Sequence, residues 1–309
     1  MDVHLRDLRY FAAVADELSF TRAAERLHLS QPALSKQIRG LETSLRAQLL
    51  RRDRRRVELT EAGKALHAAA RDLLAQWDEA AGMVADAAAA EARVLRVGTL
   101  TSIGRALFPA VLEEFGKRQP GWQVELRSFG WGDSTAGLAG QEADAAFVWL
   151  PVGAAGIETE VLVTEPRLVA VSSRHPLAGH DKVAFAKIAG EPFAALPASA
   201  GAARDFWLAL GNRAGRPPRI AAEVSSADEI FELVTAGAAV TLLAEGNAAV
   251  YARPGITCIP VTGLEPARLA IAWRRGDRRT CVRDFIRACR DAASDLGLGV
   301  TGPEPAANG

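Results

Sequence analysis

The sequence predicts an α/β protein with an N-terminal winged helix-turn-helix, a long connecting helix and a larger α/β domain of two lobes. Three observations lead to this prediction. Residues 1–60 repeat apolar side chains at the spacing of helices, residues 61–92 continue that spacing, and short apolar strands alternate with helices after Val94. A chain of 309 residues is also too long for one hydrophobic core, so two domains or more are expected.

The charge of the chain is unevenly distributed. The net charge is zero, and 49% apolar and 24% charged residues are typical of a globular protein. Residues 1–60, however, contain 12 lysines and arginines against eight acidic residues, a net charge of +4, so the remainder carries −4. This asymmetry indicates a nucleic-acid-binding end.

The sequence favours a cytoplasmic protein with no membrane partner. No charged-then-apolar signal peptide is evident at the N-terminus, and the most apolar stretch, 233–244, is too short to span a bilayer. The cysteines at 258, 281 and 289 lack metal-ligand spacing, so reduced thiols and no metal or other cofactor are expected.

The first 45 residues contain three helical patterns. Residues 16–19 end the first, Thr21 is expected to cap the short second helix, and Ser30 is expected to cap the third. Pro32 is tolerated in the first turn of that third helix. Two short helices joined by the three-residue connection 28–30 are typical of a helix-turn-helix. The inward positions of the third helix are Leu34, Ile38, Leu41 and Leu45.

Residues 49–60 predict a β-hairpin wing with a basic tip. Residues 46–56 hold six arginines and one acid, Asp53. Arginines this close together repel one another in the free protein, so a polyanionic partner is expected. An ordinary basic surface is the alternative.

Thr60 is expected to cap the long helix, which runs to about Ala90. Apolar residues recur along it at alternating spacings of four and three. This pattern predicts a dimerising coiled coil, and the alternative is a helix packed on its own domain. The seam consists of Leu66, Ala70, Leu73, Trp77, Ala80, Val84 and Ala87.

The second half of the chain predicts a mostly parallel sheet in each of two lobes. The predicted strands are 94–99, 123–127, 145–149, 167–172, 193–196, 239–243 and 269–273. The predicted helices are 103–117, 203–210, 227–236 and 279–295. The tail 297–309, rich in glycine, proline and alanine, is predicted to be disordered.

A series of short motifs covers the first 65 residues: Leu8-Arg9-Tyr10-Phe11, Ser19-Phe20-Thr21-Arg22-Ala23-Ala24, Leu29 to Ile38, Leu41-Glu42, Leu49-Leu50-Arg51-Arg52 and Leu59-Thr60-Glu61-Ala62-Gly63. Together they closely resemble the signatures of LysR-type transcriptional regulators. His175-Pro176-Leu177-Ala178 and residues 233–240 are weaker landmarks of the family's effector-binding domain.

This resemblance implies a regulator that binds double-stranded DNA and a small organic effector. The effector would lie between two lobes like those of periplasmic solute-binding proteins. The resemblance also implies self-association, as a dimer through the linker helix and a homotetramer through the effector domain, and contact with RNA polymerase if the protein is an activator.

The implied domains are the winged helix-turn-helix 1–60, the linker and dimerisation helix 61–92, and the effector domain 93–296. Within the effector domain, lobe I comprises about 93–165 and 267–296, and lobe II about 166–266.

The outward face of the third helix supplies the candidate DNA contacts Gln31, Pro32, Ser35, Lys36 and Arg39. Gln can pair with adenine and Lys with guanine, so Gln31 and Lys36 are the expected base readers, with Ser35 and Arg39 on phosphates or adjoining bases. A solvated polar helix face is the alternative.

In the family, the wing reaches phosphates or the minor groove, which makes Arg54 and Arg55 candidates. Arg51 and Arg52 are alternatives, because the hairpin register is not fixed by the sequence.

The effector candidates lie where strands turn into helices. Thr101 and Ser102 are expected at a helix N-terminus in the first lobe, with Ser199 and Ser226 in corresponding loops of the second. Trp131 and Trp149 are expected to face the cleft.

No lysine or arginine is evident among these candidates, and Arg204 is the nearest. The expected effector is therefore small and largely apolar, with at most one carboxylate. Packing of the two indoles in the core or the lobe interface is the alternative.

Two other classes of protein fit less well. An enzyme is disfavoured because the chain lacks a Gly-rich phosphate loop, a zinc-ligand cluster and a Gly-x-Ser-x-Gly elbow. A transport-linked solute-binding protein is disfavoured by the missing secretion signal and by the N-terminal helix-turn-helix.

Overall fold

The computed structural model describes residues 3–52 and 57–298. The chain divides into two compact units, Met1–Asp86 and Ala87–Gly309. Within the described part of the chain, none of the helices is both long enough and apolar enough to cross a membrane.

The first unit contains a three-helix bundle and a two-stranded hairpin. Its elements are α1 (Leu5–Glu17), α2 (Phe20–Arg26), α3 (Gln31–Leu45), β1 (Leu50–Arg52), β2 (Val57–Leu59) and the start of α4 (Glu61–Ala92). Phe11, Leu34 and Ile38 are fully buried at the centre of the bundle. The apolar periodicity of the three short helices therefore marks the faces that pack together.

The caps of these helices differ in one place from the prediction. Ser30 Oγ accepts from Ala33 N at 3.4 Å, as predicted for α3. The second helix begins at Phe20, and Ser19 Oγ accepts from Arg22 N at 3.4 Å. The prediction of Thr21 as its cap was wrong, because the helix begins two residues earlier than that cap would place it.

The hairpin is tied to α3 by the side chain of Glu42 and to the start of α4 by the side chain of Thr60. Glu42 Oε1 of α3 accepts from the backbone N–H groups of Leu49 and Leu50, at 2.9 and 3.1 Å. Thr60 Oγ1 accepts from Gly63 N at 3.0 Å and donates to Gln48 O at 2.7 Å, so Thr60 caps α4 as predicted. These bonds fix where the wing leaves α3.

The second unit begins with the end of α4 and contains two sheets of four or more strands. Its strands are β3 (Val94–Thr99), β4 (Gln123–Ser128), β5 (Ala145–Trp149), β6 (Ile157–Glu165), β7 (Arg167–Ser172), β8 (Val183–Ala184), β9 (Pro192–Ala195), β10 (Arg219–Glu223), β11 (Thr241–Ala244), β12 (Ile256–Thr262) and β13 (Ala267–Arg274). Its remaining helices are α5 (Leu107–Arg118), α6 (Phe185–Ile188), α7 (Ala202–Trp207), α8 (Ala227–Thr235), α9 (Glu245–Val250) and α10 (Thr280–Asp295).

The two lobes are built around these sheets. Lobe I contains the five-stranded sheet in the order β4-β3-β5-β13-β6, and α5 and α10 pack against it. Lobe II contains the four-stranded sheet β11-β7-β12-β8 and the parallel pair β10-β9. The chain leaves lobe I after β6 and returns to it at β13.

The strand directions differ from the prediction of mostly parallel sheets. In lobe I, β3 pairs in parallel with β4 and β5, whereas β13 is antiparallel to both β5 and β6. In lobe II, β7 is antiparallel to β11 and to β12. Hydrophobic patterns locate strands but carry no information on direction, so the prediction failed there.

The strands that the sequence did not predict are β6, β8, β10 and β12. All but the two-residue β8 are largely half-buried or exposed, the apolar runs of β6 and β10 are only three residues long, and β12 contains Pro260. The strands β3, β5 and β7 are almost wholly buried and begin and end at the predicted residues. Burial on both faces gives the clearest strand signal in a sequence.

The helix after β3 begins later than predicted. Gly104, Arg105 and Ala106 all have positive φ angles, and α5 starts only at Leu107. Thr101 and Ser102 therefore lie in an irregular loop and not at a helix N-terminus, which corrects that prediction.

Only part of the predicted tail can be compared with the structure. Leu298 N donates to Ala293 O at 2.8 Å, and its side chain packs on the lobe I core. Residues 299–309 lie outside the described residues.

Candidate nucleic-acid interface and ligand cavities

The outward face of α3 presents polar and basic side chains. Gln31, Pro32, Lys36 and Arg39 are all exposed there. Their exposure follows from the helical period, because they alternate with the buried Leu34 and Ile38. The face can meet a polyanion.

Ser35 is placed differently from the other candidates on α3. It is only 8% exposed, beside Leu34, and its carbonyl oxygen accepts from Arg39 Nε at 3.3 Å. Ser35 lies at the edge of the buried stripe of α3, so little of its surface is left for a partner. Its placement on the outward face of the helix is corrected accordingly.

The tip of the wing, with the candidates Arg54 and Arg55, lies outside the described residues. The register of the flanking strands pairs Leu50 with Leu59 and Arg51 with Glu58. Arg51 is exposed. The sequence left the register of the hairpin open. The pairing of β1 with β2 settles it for the residues on either side of the tip.

Glu42 is a positioning residue that the sequence analysis did not identify. Its carboxylate holds the start of β1 against α3 through Leu49 N and Leu50 N. The only signal in the sequence was the acidic residue of the Leu41-Glu42 motif.

The predicted seam on α4 divides into two parts. Leu66 packs on the core of the first unit and Ala70 is fully buried. Leu73, Trp77 and Val84 are 49%, 50% and 72% exposed, and Ala80 and Ala87 are exposed as well. Five consecutive seam positions are thus uncovered apolar surface, which favours a partner helix.

Two adjoining spaces lie between the lobes of the second unit. The inner cavity has a volume of about 80 Å³ and the outer groove one of about 800 Å³. Leu100, Thr101, Trp131 and Tyr251 line both, so the two spaces share a wall.

The inner cavity has mainly apolar and aromatic walls. None of the described residues that line it carries a charge. Its larger apolar residues include Leu100, Trp131, Trp149, Trp207, Phe231 and Leu243. Its polar side chains include Thr101, Ser134, Thr241, Asn247 and Tyr251. Such a lining suits a flat organic group and disfavours an ion.

Trp131 and Trp149 lie at the contact between the lobes. Trp149 forms an edge-to-face pair with Trp207 of lobe II at 6.0 Å, and its Nε1 donates to Thr101 Oγ1 at 3.2 Å. Trp131 belongs to a buried cluster with residues of lobe II, and its Nε1 donates to Leu100 O at 2.9 Å. Both indoles are less than 10% exposed, so each is an interface residue and a cavity wall at once.

The outer groove is more polar. It is lined by Ser102 and Ser128 of lobe I and by Ser225 and Ser226 of lobe II. Ser226 Oγ caps α8 by accepting from Glu229 N at 3.3 Å. Acidic Asp228 and Glu229 occupy the first turn of that helix, which disfavours an anion at its N-terminus.

The structure thus brings together five of the six candidate effector residues. Thr101, Trp131 and Trp149 line the inner cavity, and Ser102 and Ser226 line the outer groove. Ser199 is exposed and lines neither space; its Oγ lies against Gly132. The short helical turn 198–200 thus places Ser199 at a contact between the lobes but outside both spaces, and its role in effector binding stays a prediction.

A cluster of ion pairs joins the lobes beside the groove. Arg105 Nε lies 2.6 Å from Glu165 Oε2, and Arg105 Nη2 lies 2.9 Å from Glu245 Oε2 of lobe II. Glu165 also accepts from Gly246 N at 2.8 Å. Burial opposes the charge of Arg105, but the two carboxylates raise the pKa of its guanidinium. Tyr251 OH accepts from Ser102 N at 3.1 Å, which adds a neutral contact across the cleft.

Two cations near the cleft, Arg105 and Arg204, are already paired. Arg204, the nearest candidate in the sequence, donates to Glu223 Oε2 at 2.7 Å and lines neither space. Among residues 3–52 and 57–298, no group of three or more His, Cys, Asp or Glu side chains is arranged to hold a metal ion.

Comparison with known families matches both units. The family described as "Bacterial regulatory helix-turn-helix protein, lysR family" matches residues 5–64. The family described as "LysR substrate binding domain" matches residues 88–294. The matched segments contain α3 and both ligand spaces.

Characterised relatives match over almost the whole chain. The Hca operon transcriptional activator HcaR of Escherichia coli is 35% identical over 296 residues, which cover 95% of this chain and 99% of the relative. The regulator ShiR of Corynebacterium glutamicum is 32% identical over 304 residues, covering 97% and 100%.

Solved structures of similar proteins also extend over the full length. Full-length CbnR complexed with its target DNA has a TM-score of 0.52 at 28% identity, covering 94% of this chain and all of that one. Full-length BenM has a TM-score of 0.55 at 26% identity, covering 98% of this chain and all of that one.

Proposed function

Because this chain belongs to the LysR family of bacterial transcriptional regulators, we propose that α3 reads operator DNA and that the inner cavity binds the effector. The protein is a DNA-binding transcriptional regulator whose action a small-molecule effector modulates, and not an enzyme. Regulators of this family oligomerise. The observation that carries the proposal is the exposed face of α3 within the matched helix-turn-helix.

We propose that Gln31 and Lys36 read base edges. Both are exposed, and Gln31 is the first residue of α3, the end of a recognition helix that usually meets the bases. Pro32 and Arg39 flank them, and Arg39 can bind a phosphate. Because Ser35 is largely buried, its hydroxyl can make at most a contact with the DNA backbone.

Arg54 and Arg55 are proposed to hold phosphates or enter the minor groove, on the strength of the basic tip alone. Each phosphate contact contributes about one unit to the slope of log affinity against log salt. Their joint loss should therefore weaken binding to all duplexes and lower that slope by about one to two units.

A dimer through α4 is the proposed unit of operator recognition, and a tetramer is the proposed complete assembly. The uncovered seam from Leu73 to Ala87 supports the dimer. A dimer places two recognition helices on two half-sites about one helical turn of DNA apart. We also propose a cytoplasmic location, where operator DNA is found, contact with RNA polymerase if the protein is an activator, and domains at 1–60, 61–92 and 93–296.

The proposed effector is a small, largely apolar molecule with at most one carboxylate. The uncharged aromatic walls of the inner cavity suit its apolar part, and the outer groove can take a polar head. Arg105 is held by Glu165 and Glu245, so among the described residues that line the groove a multiply charged anion finds no unpaired cation.

The DNA-binding proposal is tested by a gel shift of the native chain on the DNA upstream of its own gene. A specific shift that resists competitor DNA is expected. Binding no tighter than to random duplex would refute the assignment of α3 as the reader of that site.

The effector proposal is tested by a ligand screen followed through tryptophan fluorescence in native, Trp131→Phe and Trp149→Phe proteins. Small aromatic compounds should bind, and at least one substitution should weaken them. If the compound that alters transcription is a polyanion, or if neither substitution changes its affinity, the inner cavity is not its site.

A further inference from the structure

Asn247 stands out among the polar residues of the inner cavity. It lies on α9, directly after β11, and is only 5% exposed. Its Oδ1 is buried and has no hydrogen-bond partner within the described ranges 3–52 and 57–298. Asn247 lines the inner cavity together with the indoles of Trp131 and Trp149.

Three of the other polar side chains there, Thr241, Thr101 and Tyr251, have hydrogen-bond partners within the protein. The hydroxyl of Thr241 donates to Leu242 O at 3.4 Å, and Thr101 Oγ1 accepts from Trp149 Nε1. Tyr251 OH accepts from Ser102 N. A buried amide oxygen without a hydrogen bond is costly, and native proteins rarely keep one without a reason. Asn247 is therefore a polar group that folding alone does not explain.

We propose, on the premise that the inner cavity is the effector site, that Asn247 selects an effector whose buried aromatic end carries a hydroxyl group. A hydroxyl can donate to Oδ1 and can also accept from Nδ2, so it satisfies either rotation of the amide. An anionic group is disfavoured at this end, because none of the described lining residues is charged. The indole faces accommodate the ring that bears the hydroxyl.

The chemistry of the amide makes this selection sharp. A ligand that places a methyl group there leaves the amide oxygen unsatisfied, whereas a hydroxyl of similar size satisfies it. Sites built to hydrogen-bond a hydroxyl discriminate strongly against analogues that lack it.

Phenol and toluene are the matched probes, since they differ only by a hydroxyl in place of a methyl group. Binding is followed by fluorine NMR of the full chain, with its six tryptophans replaced by 5-fluorotryptophan. Phenol should shift the cavity tryptophan signals at concentrations about tenfold lower than toluene. A tenfold difference is expected because toluene leaves the buried amide oxygen of Asn247 without a hydrogen bond.

The variant Asn247→Leu keeps the approximate shape of the side chain and removes its polar atoms. It should bind phenol and toluene equally or prefer toluene. Asn247→Ala serves as a second variant with the same expectation if the leucine protein does not fold. Asn212→Leu is the control, because Asn212 lies outside the cavity and donates to Gly263 O, and its phenol preference should match that of the native protein.

Thermal unfolding separates ligand selection from a structural role. Removing an unsatisfied buried group should leave the melting temperature of Asn247→Leu unchanged or raised. A marked fall would mean that Asn247 is satisfied within the folded protein, and the inference would then be wrong.

The outcomes also separate this inference from the proposed effector site. If phenol and toluene bind the native protein equally, or if the preference persists in Asn247→Leu, the role of Asn247 is refuted while the cavity remains a binding site. If neither probe shifts a cavity tryptophan, both the site and the inference fail.

Discussion

Lys36 and Ser35 are neighbours on α3 with opposite environments. Lys36 is exposed, whereas Ser35 is 8% exposed beside Leu34. One residue is about 100° of rotation on a helix, which is enough to move a side chain from solvent to the edge of the core. The polar character of a residue alone therefore did not identify the side chains that can reach DNA.

Replacement of Lys36 by alanine should relax base preference at one position of each half-site. The expected loss of operator affinity is about 1–3 kcal/mol, as for a side chain that contacts a base edge. Binding titrations with the operator and with single-base variants measure it. Lys117→Ala, on α5, is the control and should bind as the native protein does. Unchanged discrimination in the Lys36 variant would show that another side chain reads that base.

Asp144 is a buried carboxylate that holds lobe I together. Its oxygens accept from Arg96 N and Nη2 at 2.8 Å each and from Arg279 Nη1 at 2.9 Å. Burial disfavours the ionised form, but the hydrogen bonds and charges of Arg96 and Arg279 outweigh it and lower the pKa of Asp144 below its ordinary value of 3.8. These bonds connect β3 to α10.

Asp144→Asn should destabilise the second unit by about 3 kcal/mol at neutral pH, because it removes the buried carboxylate that accepts from Arg96 Nε and Nη2, whereas Arg279 keeps its ion pair with Asp277. Because the pKa of Asp144 is lowered in the folded state, its contribution is fully present above pH 3.8 and is lost as the pH falls through the folded pKa. Denaturant unfolding of the native and variant proteins at neutral pH measures the loss of stability, and the same experiment in acid measures its pH dependence. Glu125→Gln, on the exposed face of β4, should have little effect, and an equally small effect of Asp144→Asn would contradict the argument.

At the scale of elements, α4 changes its role along its length. Leu66 and Ala70 belong to the packing of the first unit, whereas the seam from Leu73 to Ala87 is uncovered. Both alternatives that the heptad pattern left open are therefore present in one helix. A repeat identifies an apolar stripe, but only the folded unit shows which part of the stripe it covers.

Trp77→Asp should separate an α4 dimer. A tryptophan half exposed in the single chain is expected to be buried by a partner helix, and truncating a buried tryptophan costs about 3–5 kcal/mol. Sedimentation velocity measures the oligomeric state, and titration with operator DNA measures the resulting change in affinity. Gln76→Asp introduces the same charge at the adjacent exposed position and should leave the oligomer intact. An intact oligomer in the Trp77 variant would place the interface elsewhere.

Gly63 lies where the first turn of α4 passes the wing. A Cβ at this position would overlap Leu49 O, a backbone atom that cannot move away on its own. Gly63→Ala should therefore destabilise the first unit by about 1–3 kcal/mol in denaturant unfolding, as overpacking does. At Gly40, in the middle of α3, an added Cβ meets nothing within 4 Å, and Gly40→Ala should stabilise by about 0.5–1 kcal/mol. Equal effects of the two substitutions would contradict this explanation.

At the scale of the whole second unit, closure of the lobes depends on contacts between distant parts of the chain. Arg105 joins Glu165, at the end of β6, to Glu245 on α9. The side chain of Glu165 is only 3% exposed, so the loss of Arg105 leaves a buried carboxylate without its cation. The lobes should then separate more readily.

Arg105→Met should increase hydrogen exchange of residues 245–251 about tenfold, since a hydrogen bond to a charged group contributes about 1.5–3 kcal/mol. Mass spectrometry of the full chain measures this. Arg127→Met removes an exposed ion pair with Glu125 within lobe I and should leave the exchange unchanged. Unaltered exchange in the Arg105 variant would mean that the neutral contacts alone hold the lobes closed.

The sequence by itself determined the winged helix-turn-helix, the long helix, the buried strands β3, β5 and β7, and the family. These features are encoded locally, in caps, in helical and strand periodicity and in contiguous motifs. Local signals also placed Thr101, Trp131 and Trp149 at strand ends or in the loops that follow them, from which they could face a cleft.

Only the tertiary structure decided the strand directions, the burial of Ser35, the exclusion of Ser199 from the cavity walls, and the position of Asn247. Each of these depends on contacts between residues far apart in the chain, such as the pairing of β13 with β5 or the packing of Trp149 on Trp207. Asn247 lies in a short unpredicted helix with no motif around it. Its buried oxygen lies in a cavity lined by residues of both lobes, and no local pattern of residues records that.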